Sequence, residues 1–370
     1  MTKTQHDYTA LRIAAVHRET TDAVRLVFEA PEDLRTAFQF KPGQHLPVRA
    51  TIEGVEQRRT YSICAAPGQP LAIAIKRVDG GVFSNWANAT LKPGDTLDAM
   101  PPTGRFTLAP SDGASQHMAR HVLMIAAGAG ITPVYAMIAH ALEHEANTRV
   151  TLLFGNRSID SIMFREALED LKDCHIRRFE LVHILSRNDE IEAPLFQGRI
   201  TGEKLSALST HLLTIGSIDR AYLCGPGSLI KDTRDALIGL GMPRERIHHE
   251  FFAAGGGAYR AKPVVAASAT VQPSTAMTGT EVIAVLDGMR HRFTLQPGQH
   301  VLDAAIAAGL RVPYSCRGGM CCTCRAKVTE GRARMTVNYS LEPWEIDKGF
   351  VLTCQAVAET PRLVVDYDAM

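Results

Sequence analysis

The sequence predicts a multidomain protein in which an antiparallel β-barrel is followed by a parallel-sheet α/β domain and a compact α+β domain. Residues 8–110 contain short apolar runs separated by Pro-Gly and Gly-Gly turns, a pattern typical of antiparallel barrels. Residues 120–252 alternate apolar strands with helical patterns, which favours a parallel sheet covered by helices. Residues 280–370 hold most of the cysteines. The domain order therefore follows from changes of pattern along the chain.

Composition sets the domain boundaries. We place the barrel at residues 1–112, the α/β domain at 113–252 and the α+β domain at 280–370. The intervening residues 253–279 are rich in Ala, Gly, Ser, Thr and Pro without a helical period, which predicts a flexible linker. Within the α/β domain we expect strands at 122–127, 150–154, 179–183 and 220–224, and helices at 133–146, 161–171 and 227–240.

The overall composition excludes several classes of protein. The formal net charge is +1 over 370 residues, so nothing indicates a nucleic-acid partner. No apolar run approaches the ~20 residues that a membrane-spanning helix needs. The N-terminal residues MTKTQHDYTALR contain no apolar signal core. These observations predict a cytoplasmic protein with no membrane partner.

Four cysteines near the C-terminus form the most specific pattern in the chain. Cys316, Cys321 and Cys324 have the spacing Cys-x4-Cys-x2-Cys, and Cys354 follows after 29 further residues. This is the ligand spacing of a 2Fe–2S cluster of the plant type. Structural zinc is the alternative, but it usually takes two Cys-x2-Cys pairs, whereas here the fourth thiol stands alone. The spacing therefore predicts a 2Fe–2S cluster, which carries one electron at a time.

Residues between the ligands support this interpretation. Gly318 and Gly319 allow the backbone to approach the cluster and to direct N–H groups at it. Cys322 breaks the register of the motif, so we expect it not to be a ligand. Cys64 and Cys174 are expected to be small apolar or inert thiols.

The segment Arg59-Thr60-Tyr61-Ser62 ends a predicted barrel strand. The guanidinium of Arg59 could hold a phosphate, the ring of Tyr61 could stack on a flat ligand, and the hydroxyl of Ser62 could bond a ring nitrogen. A strand with an exposed arginine and a packed tyrosine is the structural alternative.

Three glycine-containing turns also suggest ligand binding. Residues 80–84 and 128–133 each begin a helix, where backbone N–H groups and the helix dipole favour a phosphate. Residues 224–227 lie at the carboxyl end of a predicted strand, the usual ligand position in open α/β sheets, and Cys224 could face a nicotinamide. Ordinary turns, a helix cap and a buried cysteine are the alternatives.

The order of these motifs, R-T-Y-S, G-G-V-F-S, G-A-G-I-T-P and C-G-P, resembles the ferredoxin–NADP reductase family. The resemblance implies a barrel that binds FAD and an α/β domain that binds a pyridine nucleotide. The last domain resembles plant-type ferredoxins, which implies a β-grasp fold. Their fusion resembles the reductase components of multicomponent oxygenases. Stretches such as F-G-N-R, M-F-R-E-A-L and V-N-Y-S-L-E further resemble the reductases of phenylacetyl-CoA epoxidases.

The resemblance implies roles for individual residues. Arg59 would hold an FAD phosphate, Tyr61 would stack on the isoalloxazine, and Ser62 would lie near its N5. The FAD diphosphate would be cradled by Gly81, Val82, Phe83 and Ser84. The remaining implied cofactor contacts are Thr60, Lys76, Val78, Gly128, Gly130, Thr132, Pro133, Cys224, Gly225 and Pro226.

No acid–base catalyst is implied. The electron-transfer path would pass Tyr61, Ser62, Cys224 and Glu250, the last of which resembles the carboxylate that this family places near the flavin. A solvated charge at a domain edge is the alternative for Glu250.

The second strand of the α/β domain bears on the choice of nucleotide. NAD sites often place an acidic residue there to bond the ribose 2′-hydroxyl. This chain instead has Arg157 and Ser158, with Arg165 one helical turn further on. Because arginine suits a 2′-phosphate, we expect NADPH, with NADH as the alternative.

Taken together, these features predict an NADPH-dependent reductase that passes electrons through FAD and a 2Fe–2S cluster to a di-iron oxygenase. The resemblance points to phenylacetyl-CoA 1,2-epoxidase, in phenylacetate catabolism. Two alternatives stay open. One is a reductase for a ring-hydroxylating dioxygenase or an alkane hydroxylase, and the other is a redox sensor that contains a flavin and a cluster.

Overall fold

The computed structural model describes residues 8–109, 119–187, 193–252 and 279–369. They form two compact units, an N-terminal unit formed mainly by the described residues before 253, and a C-terminal unit formed mainly by residues 279–369. The predicted boundary at 112/113 and residues 253–278 of the predicted linker lie outside the described residues.

The first part of the N-terminal unit is the expected antiparallel barrel. Its six strands are ordered β4-β3-β6-β1-β2-β5, and an antiparallel bridge between Ile63 and Ile73 joins the two ends of the sheet. Burial alternates along the start of β1, where Leu11 and Ile13 are fully buried, as expected for a strand with one face on the core. The elements are β1 (Thr9–Thr20), β2 (Ala23–Glu29), β3 (His45–Ile52), β4 (Val55–Ser62), β5 (Ala72–Lys76), α1 (Val82–Thr90) and β6 (Thr96–Ala99).

A five-stranded parallel sheet forms the second part of this unit. Its order is β11-β10-β7-β8-β9, so the topological switch lies between β7 and β10. Residues 122–126 of β7 are fully buried, because helices cover both faces of the sheet. The elements are β7 (Arg120–Ala127), α2 (Ile131–His144), β8 (Thr148–Asn156), α3 (Arg165–Cys174), β9 (Phe179–Leu185), α4 (Gly202–His211), β10 (Arg220–Gly225), α5 (Gly227–Gly239) and β11 (Ile247–Phe251).

Two helices differ from the prediction. The helix expected at 161–171 is observed as α3, but it begins later than predicted, at Arg165. The delay arises because Phe164 adopts a left-handed backbone with φ 56°. Helix α4 was not predicted, because its segment G-E-K-L-S-A-L-S-T-H is short and polar and buries only Leu205 and Leu208. The Thr201 hydroxyl caps α4 by accepting a hydrogen bond from the Lys204 N–H at 3.2 Å.

The barrel and the parallel sheet share one hydrophobic core. A single cluster of buried side chains runs from Leu11 and Ile73 in the barrel to Met124 and Phe154 in the sheet. The Tyr222 hydroxyl accepts a hydrogen bond from the Ala109 N–H at 2.9 Å, across the same boundary. The two predicted domains therefore pack as one unit. A second cluster, around Leu205 and Leu223, covers the opposite face of the parallel sheet.

The C-terminal unit is a mixed sheet with its own core. Five strands are ordered β13-β12-β18-β14-β16, with β12 and β18 parallel, and β15 pairs with β17. The elements are β12 (Thr280–Leu286), β13 (Met289–Leu295), α6 (Val301–Ala307), β14 (Arg325–Glu330), β15 (Ala333–Met335), α7 (Pro343–Asp347), β16 (Phe350–Leu352), β17 (Ala356–Ala358) and β18 (Arg362–Asp366).

A helix that spans a membrane is long and apolar. Among the described residues, no helix has the combination of length and apolarity that would let it span a bilayer.

Candidate functional site

The carboxyl ends of β7 and β10 meet at the switch point of the parallel sheet. Gly128 to Gly130 form a 3-10 turn after β7, and α2 begins at the next residue. A methyl group on Gly130 would lie 2.3 Å from the Cys224 carbonyl oxygen, so only glycine fits there. A methyl group on Gly128 would contact nothing within 4 Å, so this side of the turn is open.

The first turn of α2 suits an anionic group. It carries no acidic residue and no side-chain cap, although the N–H of its first residue, Ile131, already donates to carbonyls of the preceding 3-10 turn. The Thr132 hydroxyl donates to the Ala129 carbonyl at 3.0 Å and therefore shapes the turn, and Pro133 is buried in the same turn. Gly225 ends β10, and Pro226 precedes α5 in an extended conformation.

Glu250 lies close to predicted site residues from both parts of the N-terminal unit. It lies on β11 beside Cys224 of β10. Its carboxylate accepts a hydrogen bond from the Ser62 hydroxyl at 3.4 Å and lies 3.7 Å from Nδ1 of His45. Burial raises the pKa of the Cys224 thiol well above its ordinary value, and the Glu250 carboxylate adds to this, so the thiol is neutral.

The sequence analysis did not identify His45, the first residue of β3. Its side chain is almost fully buried, and its Nε2 atom has no hydrogen-bond partner among the described residues. A buried polar atom without a partner usually indicates that a water, ion or ligand completes the site. The local sequence around His45 gave no such signal, because this histidine is recognisable only by its position beside Ser62 and Glu250.

Aromatic packing connects the end of β4 to α1. The Tyr61 ring lies 5.8 Å from the Phe83 ring between centroids, and Phe83 contacts Trp86 edge to face at 5.5 Å. Phe83 is fully buried, whereas Val82 beside it is 47% exposed. Phe83 therefore anchors α1 to the barrel rather than presenting its ring to a ligand.

Side chains hold the turn before α1 in place. The Ser84 hydroxyl accepts from the Val78 N–H at 3.1 Å and donates to the Gly81 carbonyl at 3.3 Å. Asn85, which the sequence analysis missed, donates to the carbonyls of both residues, at 3.0 Å for Val78 and 2.7 Å for Gly81. Because no side chain caps the first turn of α1 and no acid lies in it, its start also fits a phosphate group.

The other predicted flavin residues lie on barrel strands. Arg59 is exposed on β4, Thr60 is partly buried, and Lys76 forms an ion pair with Asp22 at 3.1 Å at the end of β5. The cofactor roles of these residues and of the two glycine turns remain predictions.

The predicted nucleotide-selecting residues follow β8. Arg157 is exposed, and Ser158 begins a 3-10 turn in which its N–H donates to the Ser161 hydroxyl. Arg165 instead forms an ion pair with Glu169 at 2.9 Å on the exposed face of α3. Arg187, which the sequence analysis did not select, lies beside Arg157, because its N–H donates to the Arg157 carbonyl at 2.8 Å.

The four predicted ligand thiols converge in the C-terminal unit as two pairs. Cys316 and Cys321 are hydrogen-bonded to each other, and so are Cys324 and Cys354. Backbone N–H groups also point at the sulfurs, since Gly318 donates to Cys316 Sγ at 3.3 Å. None of the cysteines forms a disulfide.

Hydrogen bonding shifts the pKa values of the two thiols of each pair in opposite directions. The bond from the Cys321 thiol lowers the pKa of Cys316 to about 6 against the opposing effect of burial, and the bond from Cys324 lowers the pKa of Cys354. The pKa values of the two donors, Cys321 and Cys324, are raised for the same reason and by burial. Within each pair, one thiol therefore ionises more readily than its partner.

This arrangement fits two metal ions better than one. A structural zinc site would require four ligands around one centre. Two thiol pairs instead match a cluster in which each of two irons takes two thiolates, so the residues fit a 2Fe–2S group.

Cys322 differs from its neighbours. It adopts a left-handed backbone with φ 53° and packs partly against the C-terminal core, and it belongs to neither thiol pair. The expectation that it is not a ligand stays a prediction. Of the other thiols, Cys64 is buried with its pKa raised to about 12 by burial, and Cys174 is exposed.

Family models match three successive segments of the chain. Residues 10–108 match an oxidoreductase FAD-binding domain, residues 124–235 an oxidoreductase NAD-binding domain, and residues 284–359 a 2Fe–2S iron–sulfur cluster binding domain. The chain is also 41% identical to one component of the 1,2-phenylacetyl-CoA epoxidase of Escherichia coli (strain K12), over 97% of this chain and 98% of that protein.

The chain belongs to the ferredoxin reductase family of oxygenase components. This reductase is also 32% identical to the 3-ketosteroid-9-alpha-monooxygenase ferredoxin reductase component of Rhodococcus rhodochrous, with 96% of each chain covered. Among solved structures, phthalate dioxygenase reductase shares its fold, with a TM-score of 0.57 and 22% identity over 98% of this chain and 100% of the other.

The comparisons confirm the predicted fold class and the presence of FAD-binding, NAD-binding and 2Fe–2S domains. This reductase is an oxidoreductase that transfers electrons, and its relatives indicate an oxygenase as its partner.

Proposed function

We propose that this reductase takes electrons from NADPH and delivers them to the di-iron oxygenase component of a phenylacetyl-CoA epoxidase complex. The observation that carries the electron-transfer part is the pairing of four thiols in the same chain as a flavin and nucleotide module. When bound, FAD and the cluster supply the conversion of a two-electron hydride into single electrons.

The choice of partner rests on similarity. The relative at 41% identity is a component of a phenylacetyl-CoA epoxidase, whereas those at 32% and 30% serve monooxygenases for a ketosteroid and for glycine betaine. The second candidate is therefore a reductase for another oxygenase. We propose a cytoplasmic location, because NADPH is the reductant.

The residues around Glu250 would bind and orient the flavin and the nicotinamide. Tyr61 would present its ring to the flavin, and Ser62 would lie near N5, with its single hydroxyl proton directed either at Glu250, as observed, or at N5. Cys224 stays neutral and buried, so it would act through shape at the nicotinamide rather than as a nucleophile.

Backbone groups would bind the phosphates. The starts of α1 and α2 carry no side-chain cap, with Gly81 and Val82 at one and Gly128 and Gly130 at the other. The Gly81 N–H already donates to the Val78 carbonyl at 2.9 Å, so the Val82 N–H would meet the phosphate at α1. Arg59 would pair with an FAD phosphate. Arg157 and Ser158 would meet the 2′-phosphate of NADPH, and Arg165 would contribute only if it left Glu169.

The proposed domains keep the predicted bounds, with FAD at 1–112, the nucleotide at 113–252, a linker at 253–279 and the cluster at 280–370. Within the last domain Cys316, Cys321, Cys324 and Cys354 would hold the cluster. The linker would let this domain alternate between the flavin and the oxygenase.

Two measurements test the reductase activity. The purified full chain should contain iron and acid-labile sulfide and show flavin bands with a broad iron–sulfur shoulder. It should also reduce cytochrome c or ferricyanide faster with NADPH than with NADH at limiting nucleotide. Zinc in place of iron, or no nucleotide-dependent reduction, would overturn the proposal.

Reconstitution tests the partner. Electron delivery should support turnover of a purified phenylacetyl-CoA oxygenase component at low reductase concentration. A ketosteroid oxygenase component is the matched comparison, because a reductase for that enzyme appears among the relatives. Faster turnover of the ketosteroid oxygenase component would favour the alternative partner. It would not contradict the proposed reductase activity.

A further inference from the structure

Gln355 links the two segments that supply the cluster ligands. It follows Cys354 directly and is 8% exposed. Its amide Nε2 lies 3.7 Å from Cys354 Sγ and donates to the Arg317 carbonyl at 2.9 Å. Arg317 follows the first ligand, Cys316. One amide group therefore contacts both the fourth ligand and the loop that carries the other three.

The orientation of this amide is fixed by a third group. The Thr336 hydroxyl donates to Oε1 of Gln355 at 2.6 Å, and His300 Nε2 lies 3.4 Å from the same hydroxyl. A flipped amide would direct its oxygen at the Arg317 carbonyl and at the ligand sulfur, both of which are acceptors. Only the observed orientation gives every group a partner.

We propose that Gln355 is a positioning residue that raises the reduction potential of the 2Fe–2S cluster and braces its binding loop, with Thr336 orienting it. This inference rests on the proposed role of Cys354 as a ligand. A hydrogen bond to a ligand sulfur stabilises the more negative, reduced state, and it does so more strongly in a buried site than in water.

The loop geometry supports the bracing role. Arg317 has a left-handed backbone with φ 54°, a conformation that needs support from its surroundings in a non-glycine residue. The carbonyl of this residue is the one that Gln355 holds. A methyl group on Gly319 would lie 3.3 Å from Gln355 Cγ, so the side chain also fills the space beneath the loop.

Spectroelectrochemical titration of the holo full-length protein tests the proposal. Gln355→Met keeps the volume but removes the donor, so the cluster potential should fall while the flavin potential stays unchanged. Cluster loss to an iron chelator should also become faster. An unchanged potential in a fully loaded Gln355→Met protein would overturn the proposal, whereas absence of a cluster from the wild type would overturn the function itself.

Thr336→Val provides an independent test because it leaves Gln355 in place. The potential should fall by less than in Gln355→Met, and the double variant should match Gln355→Met, because Thr336 acts through the amide. Should Gln355→Met fail to assemble a cluster, Thr336→Val decides, and an unchanged potential there would contradict the inference. The inference would also be contradicted if the potential of the double variant fell by the sum of the two single-variant shifts, because Thr336 would then act independently of Gln355.

Discussion

The proposed cluster site of the C-terminal unit and the glycine turns of the N-terminal unit would bind their ligands by different means. The cluster would be held by four side-chain sulfurs, three from one loop and one from Cys354. The turns before α1 and α2 would instead use backbone N–H groups, and there side chains such as Ser84, Asn85 and Thr132 shape the turn itself. A side-chain site can be recognised from spacing alone, whereas a backbone site is recognised only from several motifs in order.

The largest effect is expected from removing one ligand. Cys321→Ala should abolish the iron–sulfur absorbance and electron delivery to the oxygenase, because one iron loses half of its thiolates. Flavin bands and NADPH-dependent ferricyanide reduction should remain. Iron and sulfide assays with visible spectra provide the measurement. Cys322→Ala is the matched control and should retain the cluster, and loss of the cluster in this control would show that the ligand set is wrong.

The next effect concerns the stability of the cluster-binding unit. Glu345 is fully buried and pairs with Arg325, the residue after the predicted ligand Cys324, at 3.0 Å. Glu345→Ala should destabilise this unit by about 3–5 kcal/mol, because it leaves a largely buried guanidinium without this carboxylate.

Chemical denaturation followed by the cluster absorbance measures this change. Glu330→Ala is the control. It removes an exposed ion pair with Arg362 at 3.1 Å and should cost at most about 1 kcal/mol. Equal losses in the two variants would mean that burial of the pair has no energetic consequence.

Nucleotide selection should show an intermediate effect. Arg157→Ala should raise KM for NADPH about tenfold or more and change KM for NADH little, because a hydrogen bond to a charged group contributes about 1.5–3 kcal/mol. Arg165→Ala should have a smaller effect, because Arg165 is already paired with Glu169. Steady-state kinetics with both nucleotides decide the matter, and equal changes for NADPH and NADH would remove the assignment of Arg157.

The smallest effect is expected at a backbone turn. Gly130→Ala should destabilise the N-terminal unit by about 1–3 kcal/mol and weaken nucleotide binding, because the added methyl group overlaps the Cys224 carbonyl. Gly239→Ala is the control, since a methyl group there contacts nothing within 4 Å. Thermal unfolding and nucleotide titration measure both variants, and a neutral Gly130→Ala would imply that the turn can move.

The sequence predicted the fold class because its signals are local. Apolar strands followed by glycines gave the parallel sheet, and cysteine spacing gave the cluster domain. Other features depend on distant partners and could not be predicted. The left-handed Phe164 that delays α3, the buried His45 beside Glu250 and the amide of Gln355 against Arg317 each depend on contacts between separated segments.

The burial of individual thiols has a practical consequence. Cys64 and Cys224 are buried with raised pKa values, so they resist alkylation, and four other cysteines would be occupied by iron in the loaded protein. Cys174 is exposed at the end of α3. Cys322 is only partly buried, so the labelling uses the Cys322→Ala variant, in which a maleimide spin label or fluorophore should attach mainly at Cys174. It would provide a reporter for the distance to the paramagnetic cluster during turnover.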